Sequence, residues 1–572
     1  MSRLPGGKSS RYVLRLAALF FGLAAVCPMT VAVEPPSPPR PNIVVILSDD
    51  MGFSDVGCYG SEIETPNLDR LARGGLRFTQ FYNTARCCPT RASLLTALYP
   101  HQAGMGHMET DRGLPGYRGD LNDRCATIAE VLAPAGYASY AVGKWHVTSA
   151  KRPKSDAEKR NWPLQRGFSR FYGTIIGGGN SFDPAMLVRD NRMLTAFTDP
   201  DYPAEDYSYT DAISDHAVRF IKEHDATQPF VLYVAYTSPH WPLHARDRDI
   251  AKYASRFAAG YEAIRTARYA KMLSEGVVTE AETTLRPLRP KVGEKEEWLA
   301  WDQRNMEVYA AMVDSMDQGI GRIVKAVEDA GQADNTLVCY LQDNGGCAEG
   351  IGRGGIGPAR AESPSLPPLP ADEISVTVRQ KQTRDGYPIR EGKGVMAGPA
   401  DTFIAHGAAW ATVSNTPFRM YKHYVHEGGI STPLIVYWPR GIKEPGRLER
   451  TPGHLIDIMA TAVDLAGASY PSGKTPLEGK SLAPLFSGGS IDRDSLYWEH
   501  EGNKAIREGD WKLVALYGKP WELYDLSKDR SEQHDLSGAE PDRVKRMAAM
   551  WETYAARTNV EPWDKVFPPK KQ

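Results

Sequence analysis

Asp49 and Asp50 follow directly on the apolar run "NIVVIL" (42–47), and Asp343 and Asn344 follow directly on "NTLVCYLQ". All four are hard oxygen donors. Such a set suits Ca2+ or Mg2+ better than Zn2+, for which nitrogen and sulfur would be expected. Lys144 and His146 close "GYASYAVGKWH", His240 closes "PFVLYVAYTSPH", and Lys422 lies in "RMYKHYVHEGG". Arg91 stands in "RCCPTR". A divalent cation and that many positive groups in one cleft fit an oxyanion, sulfate or phosphate, because charge on a transferring group needs fixed positive partners. Taken singly, each residue reads as a turn, a cap or a packed side chain. Four strand ends loaded with the same residue types are harder to read as turns.

That set lacks a nucleophile. The vicinal pair Cys87–Cys88 opens a helical run and leaves three chemistries open. The pair could form a strained disulfide switch, bind a metal, or include a residue that does not stay cysteine.

The elements that must position these groups alternate. "NIVVIL" is a β-branched run of the kind buried on both faces. Comparable strands end at Lys144, near His240 and at Asp343, and "TPLIVYWP" (432–439) is another. Helical patterns lie between them: "TPNLDRLARGG" (65–75), with a Thr cap and Pro one place on, "TIAEVLAPAGY", residues 305–331 and residues 453–467. In 305–331 one stripe carries Met306, Tyr309, Val313, Met316, Ile320, Ile323 and Val327. This alternation predicts an α/β fold, a large mixed, mostly parallel sheet between helical layers, with the site beyond the carboxyl ends of the strands. Residues 495–526 predict a smaller antiparallel sheet, and 539–557 a closing helix that starts near Pro541.

The chain has 572 residues, with Lys+Arg 68 against Asp+Glu 70. The near balance gives no basic face for nucleic acid and no acidic tail. Residues 1–32 read as an export signal, positive and then apolar, with a small-residue cleavage site near Ala32. The apolar run is too short for a comfortable transmembrane anchor, so a periplasmic or secreted protein is expected. Lipidation at Cys27 is a weaker alternative. A Pro-rich leader occupies 33–40, a catalytic domain 41–490 and a small C-terminal α+β domain 491–572, the last expected to shape one wall of the cleft. The cysteines are too few for a disulfide scaffold, and Cys339 and Cys347 read equally well as packed thiols.

"Cys87-Cys88-Pro89-Thr90-Arg91", followed by "Ala92-Ser93-Leu94-Leu95-Thr96", resembles the sulfatase signature Cys-x-Pro-x-Arg ahead of a Leu-Leu-Thr-Gly run. "Gly136" to "His146" resembles the second signature of that family, and "SPHWPL", "LQDNGG" and the stretch from "SNTPFRMYK" to "IVYWP" resemble further blocks in the same order. The resemblance runs from about residue 41 to "WELYDLSKDRSEQHDL". It implies a formylglycine-dependent, arylsulfatase-like enzyme of the alkaline phosphatase superfamily.

By this resemblance Cys87 is oxidised to Cα-formylglycine by a maturing enzyme, and Cys88 is the variable position. A hydrated aldehyde carries two hydroxyls on one carbon, one to attack sulfur and form a covalent sulfate ester, the other to expel the sulfate. The resemblance further implies that Asp49, Asp50, Asp343, Asn344 and the modified Cys87 hold Ca2+. It implies that Arg91 supports the modified side chain and that Lys144 and His146 contact the hydrate. His240 and Lys422 are implied to bind sulfate. His146 becomes the base for sulfate release and His240 the acid for the leaving alcohol. His101, His244, His423 and His426 are weaker candidates.

Two positions depart from the family pattern. Arg86 precedes Cys87 where a small or aliphatic residue is usual, and Ala97 replaces Gly, a mild change if it falls in a helix interior. Residues 246–304 and 349–412 are expected to form the rim that selects the alcohol or sugar. The substrate is expected to be an aryl sulfate in vitro or a sulfated carbohydrate. The alternatives are a phosphoric or phosphonic ester hydrolase, or a non-catalytic binder of sulfated glycans.

Overall fold

The computed structural model describes residues 40–288 and 293–569. The expected export signal, Cys27 and all of the leader but Arg40 lie outside the described residues.

The strands of the large sheet are β1 (Asn42–Ser48), β2 (Leu76–Tyr82), β3 (Ala138–Lys144), β4 (Arg170–Thr174), β5 (Leu187–Arg189), β6 (Arg192–Leu194), β7 (Phe230–Ala235), β8 (Thr336–Gln342), β9 (Ser431–Tyr437), β10 (Leu448–Glu449) and β11 (Gly453–His454). Their order is β10-β2-β9-β8-β1-β7-β3-β4-β5-β6, with β11 also paired to β2. The central strands β8, β1, β7, β3 and β4 run parallel. β9 runs antiparallel to both β8 and β2, and β5 and β6 turn back at the far edge. The sheet is therefore mixed and mostly parallel, as the strand patterns predict.

β1 shows why its sequence is continuously apolar. Ile43, Val45 and Leu47 enter one core and Val44 and Ile46 the other. The first core takes Leu94 and Leu95 from the helix Cys87–Thr96, and Ile458 and Met459 from the helix Ile456–Ala466. The second takes the helices Tyr209–Lys222 and Leu299–Asp329. All seven residues of the predicted stripe, Met306 to Val327, are buried there, and the helix begins earlier than expected, at Leu299.

A second sheet contains β12 (Leu496–His500), β13 (Asn503–Glu508), β14 (Trp511–Ala515) and β15 (Glu522–Asp525), all antiparallel. The helix Pro541–Thr558 closes the chain against it, and Met547 and Trp551 meet Ile506 and Leu513 in the first core.

Two local expectations are corrected. Thr65 precedes the helix Pro66–Arg73, but its side chain does not cap it. Its hydroxyl instead accepts from Gly57 N at 2.8 Å and donates to Asp69 at 3.2 Å. Ala97 is not in a helix interior: it ends the helix Cys87–Thr96 in the left-handed region, at φ 54°. That backbone costs a side chain roughly 1 kcal/mol. Burying the Ala97 methyl in the core returns about 0.8 kcal/mol. The two effects nearly cancel, which accounts for Ala at a position that favours Gly.

Candidate active site

The register of the sheet assembles the site. Ser48 pairs with Gln342, so Asp49 and Asp343 leave adjacent strands side by side. Gly143 pairs with Ala235, which brings Lys144 to the same edge. Asp343 N donates to Ser48 O and Asp49 N to Ser238 O, each at 3.1 Å, which carries the sheet one residue into the site. Asp50 and His146 then turn through positive φ, 61° and 55°, a conformation uncommon for residues with a Cβ and typical of functional sites.

Eight of the predicted residues join one buried network. Lys144 Nζ is 2.6 Å from Asp49 Oδ2. Arg91 Nη2 is 2.8 Å from Asp343 Oδ2 and 3.6 Å from Asp49 Oδ2, and Arg91 Nη1 donates to Lys144 O at 3.0 Å. Lys422 Nζ is 2.7 Å from Asp50 Oδ1, and His240 Nε2 is 3.4 Å from Asp50 Oδ2. Asn344 Nδ2 donates to Asp50 Oδ1 at 2.8 Å. Three carboxylates thus meet three permanent cations in a water-poor cleft. Burial alone would raise the Asp50 carboxyl, but His240 and Lys422 outweigh it and hold it well below the usual range. Asp343 goes the other way: burial and the neighbouring Asp49 push it far up. Two carboxylates so placed call for more positive charge than the side chains supply.

Cys87 is the first residue of its helix, where unpaired backbone N–H groups favour negative charge. Its Sγ lies within 4.8 Å of Cys88 Sγ and of a His146 ring nitrogen. The Cys88 thiol donates toward it, and Lys144 and His146 add positive charge, so the Cys87 thiol is held well below its ordinary value against the opposing effect of burial. Burial and the neighbouring Cys87 raise Cys88. The six described cysteines are all free thiols, Cys339 and Cys347 among them.

The donor set fits a hard cation. Asp49 Oδ1 and Asn344 Oδ1 are buried and accept no hydrogen bond, although they end adjacent strands. Unsatisfied buried oxygens are costly, and a cation between them removes that cost.

His240 Nδ1 donates to Trp241 O at 2.5 Å, which fixes the ring and leaves Nε2 facing the site. Glycine is required beside His146: a Cβ on Gly177 would sit 2.1 Å from the ring. Glu109, which no sequence motif marks, also enters the site: its Oε2 is 3.3 Å from His146 Nε2 and 3.6 Å from Cys88 Sγ. Glu109 lies in a loop without periodicity, so no pattern marks it. Arg86 bonds His423 and sits 3.5 Å from Glu349. Of the weaker histidines, His101 pairs with Glu499 at 2.7 Å and His244 Nε2 donates to Thr402 O at 2.9 Å, both away from the carboxylate network. His426 is buried 3.6 Å from Glu522, and only His423, through Arg86, adjoins the site. Among the described residues no helix is long and apolar enough to cross a membrane.

The sulfatase family pattern matches residues 41–468, and that of the N-sulphoglucosamine sulphohydrolase C-terminal region matches 418–556. An uncharacterized sulfatase of Schizosaccharomyces pombe is 32% identical over 561 residues, 91% of this chain and 94% of its own. The arylsulfatase of Klebsiella aerogenes is 30% identical over 444 residues, 75% of this chain and 87% of its own. The human N-acetylgalactosamine-6-sulfatase is 26% identical, covering 88% and 77%. Among solved structures, Ps i-CgsB superposes with a TM-score of 0.62 at 24% identity, over 93% of this chain and 100% of that one, and shares the fold. The chain belongs to the sulfatase family and is a sulfuric ester hydrolase.

Proposed function

We propose that this hydrolase cleaves sulfate esters with bound Ca2+ and with Cys87 matured to Cα-formylglycine. The observation that carries this reading is the start of the helix Cys87–Thr96. There a depressed thiol meets Lys144 and His146 beside two buried, unsatisfied oxygens. Asp49, Asp50, Asp343 and Asn344 would hold the ion, which would supply positive charge to a sulfate oxygen. Hydrated formylglycine at position 87 would supply the attacking hydroxyl and a second hydroxyl through which sulfate leaves.

The side chains have matching tasks. Lys144 and Lys422 each carry three N–H donors, of which the carboxylates take only part, so donors remain for sulfate oxygens. His240, held by Trp241 O, presents Nε2 to protonate the leaving alcohol. Burial lowers the His240 ring despite Asp50, and the negative charge of a bound sulfate would raise it again. His146, backed by Glu109, would take the proton when sulfate is released. Arg91 keeps the helix start against Asp343.

The part of the substrate beyond the sulfate would lie against the loop 349–412. This loop packs on residues 180–205: Arg384 pairs with Asp183 at 2.8 Å and Asn180 Nδ2 donates to Ala400 O at 2.9 Å. Between them is a cavity of about 690 Å³ that includes Phe182, Phe197, Arg360 and Asp401. Gly178, beside His240, and Gly179, beside Val378, link that cavity wall to the site. Aromatic faces next to polar groups suit a sugar ring, and an N-acetylgalactosamine-6-sulfatase among the relatives supports a sulfated carbohydrate. The aryl activity in vitro rests on the Klebsiella relative. Residues 1–32 would direct export, and a maturing enzyme would act on Cys87.

The test is sulfate release from nitrophenyl sulfate and from 6-sulfated N-acetylhexosamines, with nitrophenyl phosphate as control. Preference for the sulfates in the presence of Ca2+ is expected. Faster turnover of the phosphate would overturn the reading.

A further inference from the structure

Outside the carboxylate network, a second cluster gathers His107, His500 and Glu501. A ring nitrogen of each histidine and a carboxylate oxygen of Glu501 lie within 4.8 Å of one another. His107 Nε2 is 3.3 Å and His500 Nε2 3.6 Å from Glu501 Oε1. Four ligands at ~2.1 Å around a tetrahedral ion are about 3.4 Å apart, close to both separations.

His500 is 0% exposed, yet neither of its ring nitrogens has a hydrogen-bond partner. His107 Nδ1 is likewise buried and unpartnered. With Nδ1 unpartnered and Nε2 only in a long contact with Glu501, the buried His500 ring recovers little of its lost hydration, a cost that a ligand would remove. His500 and Glu501 are fixed by the turn between β12 and β13, where Glu501 and Gly502 both take positive φ. His107 arrives from the loop after the helix Cys87–Thr96, and its ring lies nearly parallel to that of His500, with centroids 5.5 Å apart.

We propose that His107, His500 and Glu501 form a second metal site, which binds a first-row divalent transition ion of the Zn2+ type. Two imidazoles and one carboxylate are a recognised donor set for such ions and differ in kind from the all-oxygen set at Asp49, Asp50, Asp343 and Asn344. The charges permit it. Arg86 and, when protonated, His423 face Glu349 and Glu501, so the cluster carries no excess positive charge before an ion binds. The Glu501 and His107 side chains are 27% and 12% exposed, so an ion can reach them from solvent.

Such an ion would tie the His107 loop to the small sheet. Through Glu501 Oε2, 2.9 Å from His423 Nδ1, it would brace the residue next to Lys422. The site stands on its own geometry and does not depend on the maturation of Cys87.

The probe is Co2+, titrated into Ca2+-saturated enzyme and followed by visible absorption, with Zn2+ added afterwards to displace it. One equivalent should give the intense ligand-field bands of a four-coordinate ion, and one equivalent of Zn2+ should remove them. His107→Gln and Glu501→Gln, both at partly exposed positions, should each weaken binding at least tenfold. Asp343→Asn should leave the bands in place. Absence of the bands in the unmodified protein would overturn the proposal, as would their loss in Asp343→Asn with retention in both His107→Gln and Glu501→Gln.

Discussion

Arg91 and Asp343 lie 2.8 Å apart with fully buried side chains, and their ion pair joins the helix that starts at Cys87 to the end of β8. The same guanidinium reaches Lys144 O, so one side chain fixes three strand-end or helix-start groups. Removing it leaves Asp343 and Asp49 facing each other with less positive charge between them.

Arg91→Ala should therefore cost about 3–5 kcal/mol of stability, as for one half of a buried pair. Arg91→Lys keeps the charge but not the two-pronged geometry. It should retain most of the stability and lose most of the sulfate ester turnover. Thermal unfolding and kcat/KM measured on both variants check this. A fully active Arg91→Lys enzyme would show that only the charge is needed.

Asn344 Oδ1 is a buried oxygen with no donor in the fold. If it faces Ca2+, chelation of the enzyme should abolish turnover and added Ca2+ should restore it. Asn344→Ala should raise the Ca2+ concentration needed by a factor of ten or more, a loss of ~1.4 kcal/mol. Activity indifferent to chelator in both proteins would count against an oxygen-bound cation.

Glu109 faces His146 Nε2 at 3.3 Å. Burial and Lys144 pull the His146 ring down, while the Cys87 thiol and the Glu109 carboxylate raise it; once position 87 is formylglycine, Glu109 is the negative partner that remains. Glu109→Gln removes that negative partner. His146 should then lose its proton at lower pH, and the acidic limb of the kcat profile, which includes sulfate release, should move to lower pH. An unmoved limb would mean that His146 is not the group whose deprotonation sets it.

Buried histidines make the fold sensitive to acid, and His454 and His244 show how. Burial pushes His454 down to about 3, helped by Arg493. It pushes His244 down to about 4, against the Thr402 carbonyl that accepts from the ring. Their unfolded value is near 6.5, so the unfolded chain binds protons that the native state refuses. Stability is flat above that pH and falls as the pH drops through it, by about 2 kcal/mol for each ring at pH 5. His454→Asn should be less stable than the parent at pH 7.5 but lose less on acidification. Equal losses in denaturant titrations at pH 7.5 and 5 would contradict this.

The strand ends were legible for a physical reason. A strand buried on both faces must be apolar throughout, so Asp49, Lys144 and Asp343 stand out where it stops. The direction of β9 was not legible, because an apolar run reads alike either way and only its pairing with β8 and β2 sets it antiparallel. Glu109, His500 and Glu501 were missed because they sit in a loop and a strand turn, and only tertiary packing brings them to His146, His107 and His423. Ala97 was misjudged because the helix ends where the sequence pattern continues, and a left-handed residue other than glycine leaves no mark.

The central claim is that position 87 acts as formylglycine. It is tested most directly by mass spectrometry of the tryptic peptide Cys87–Arg91 from enzyme that turns over a sulfate ester. The account predicts an aldehyde or its hydrate at position 87, with Cys88 an intact thiol. An unmodified Cys87 thiol in fully active enzyme would contradict it.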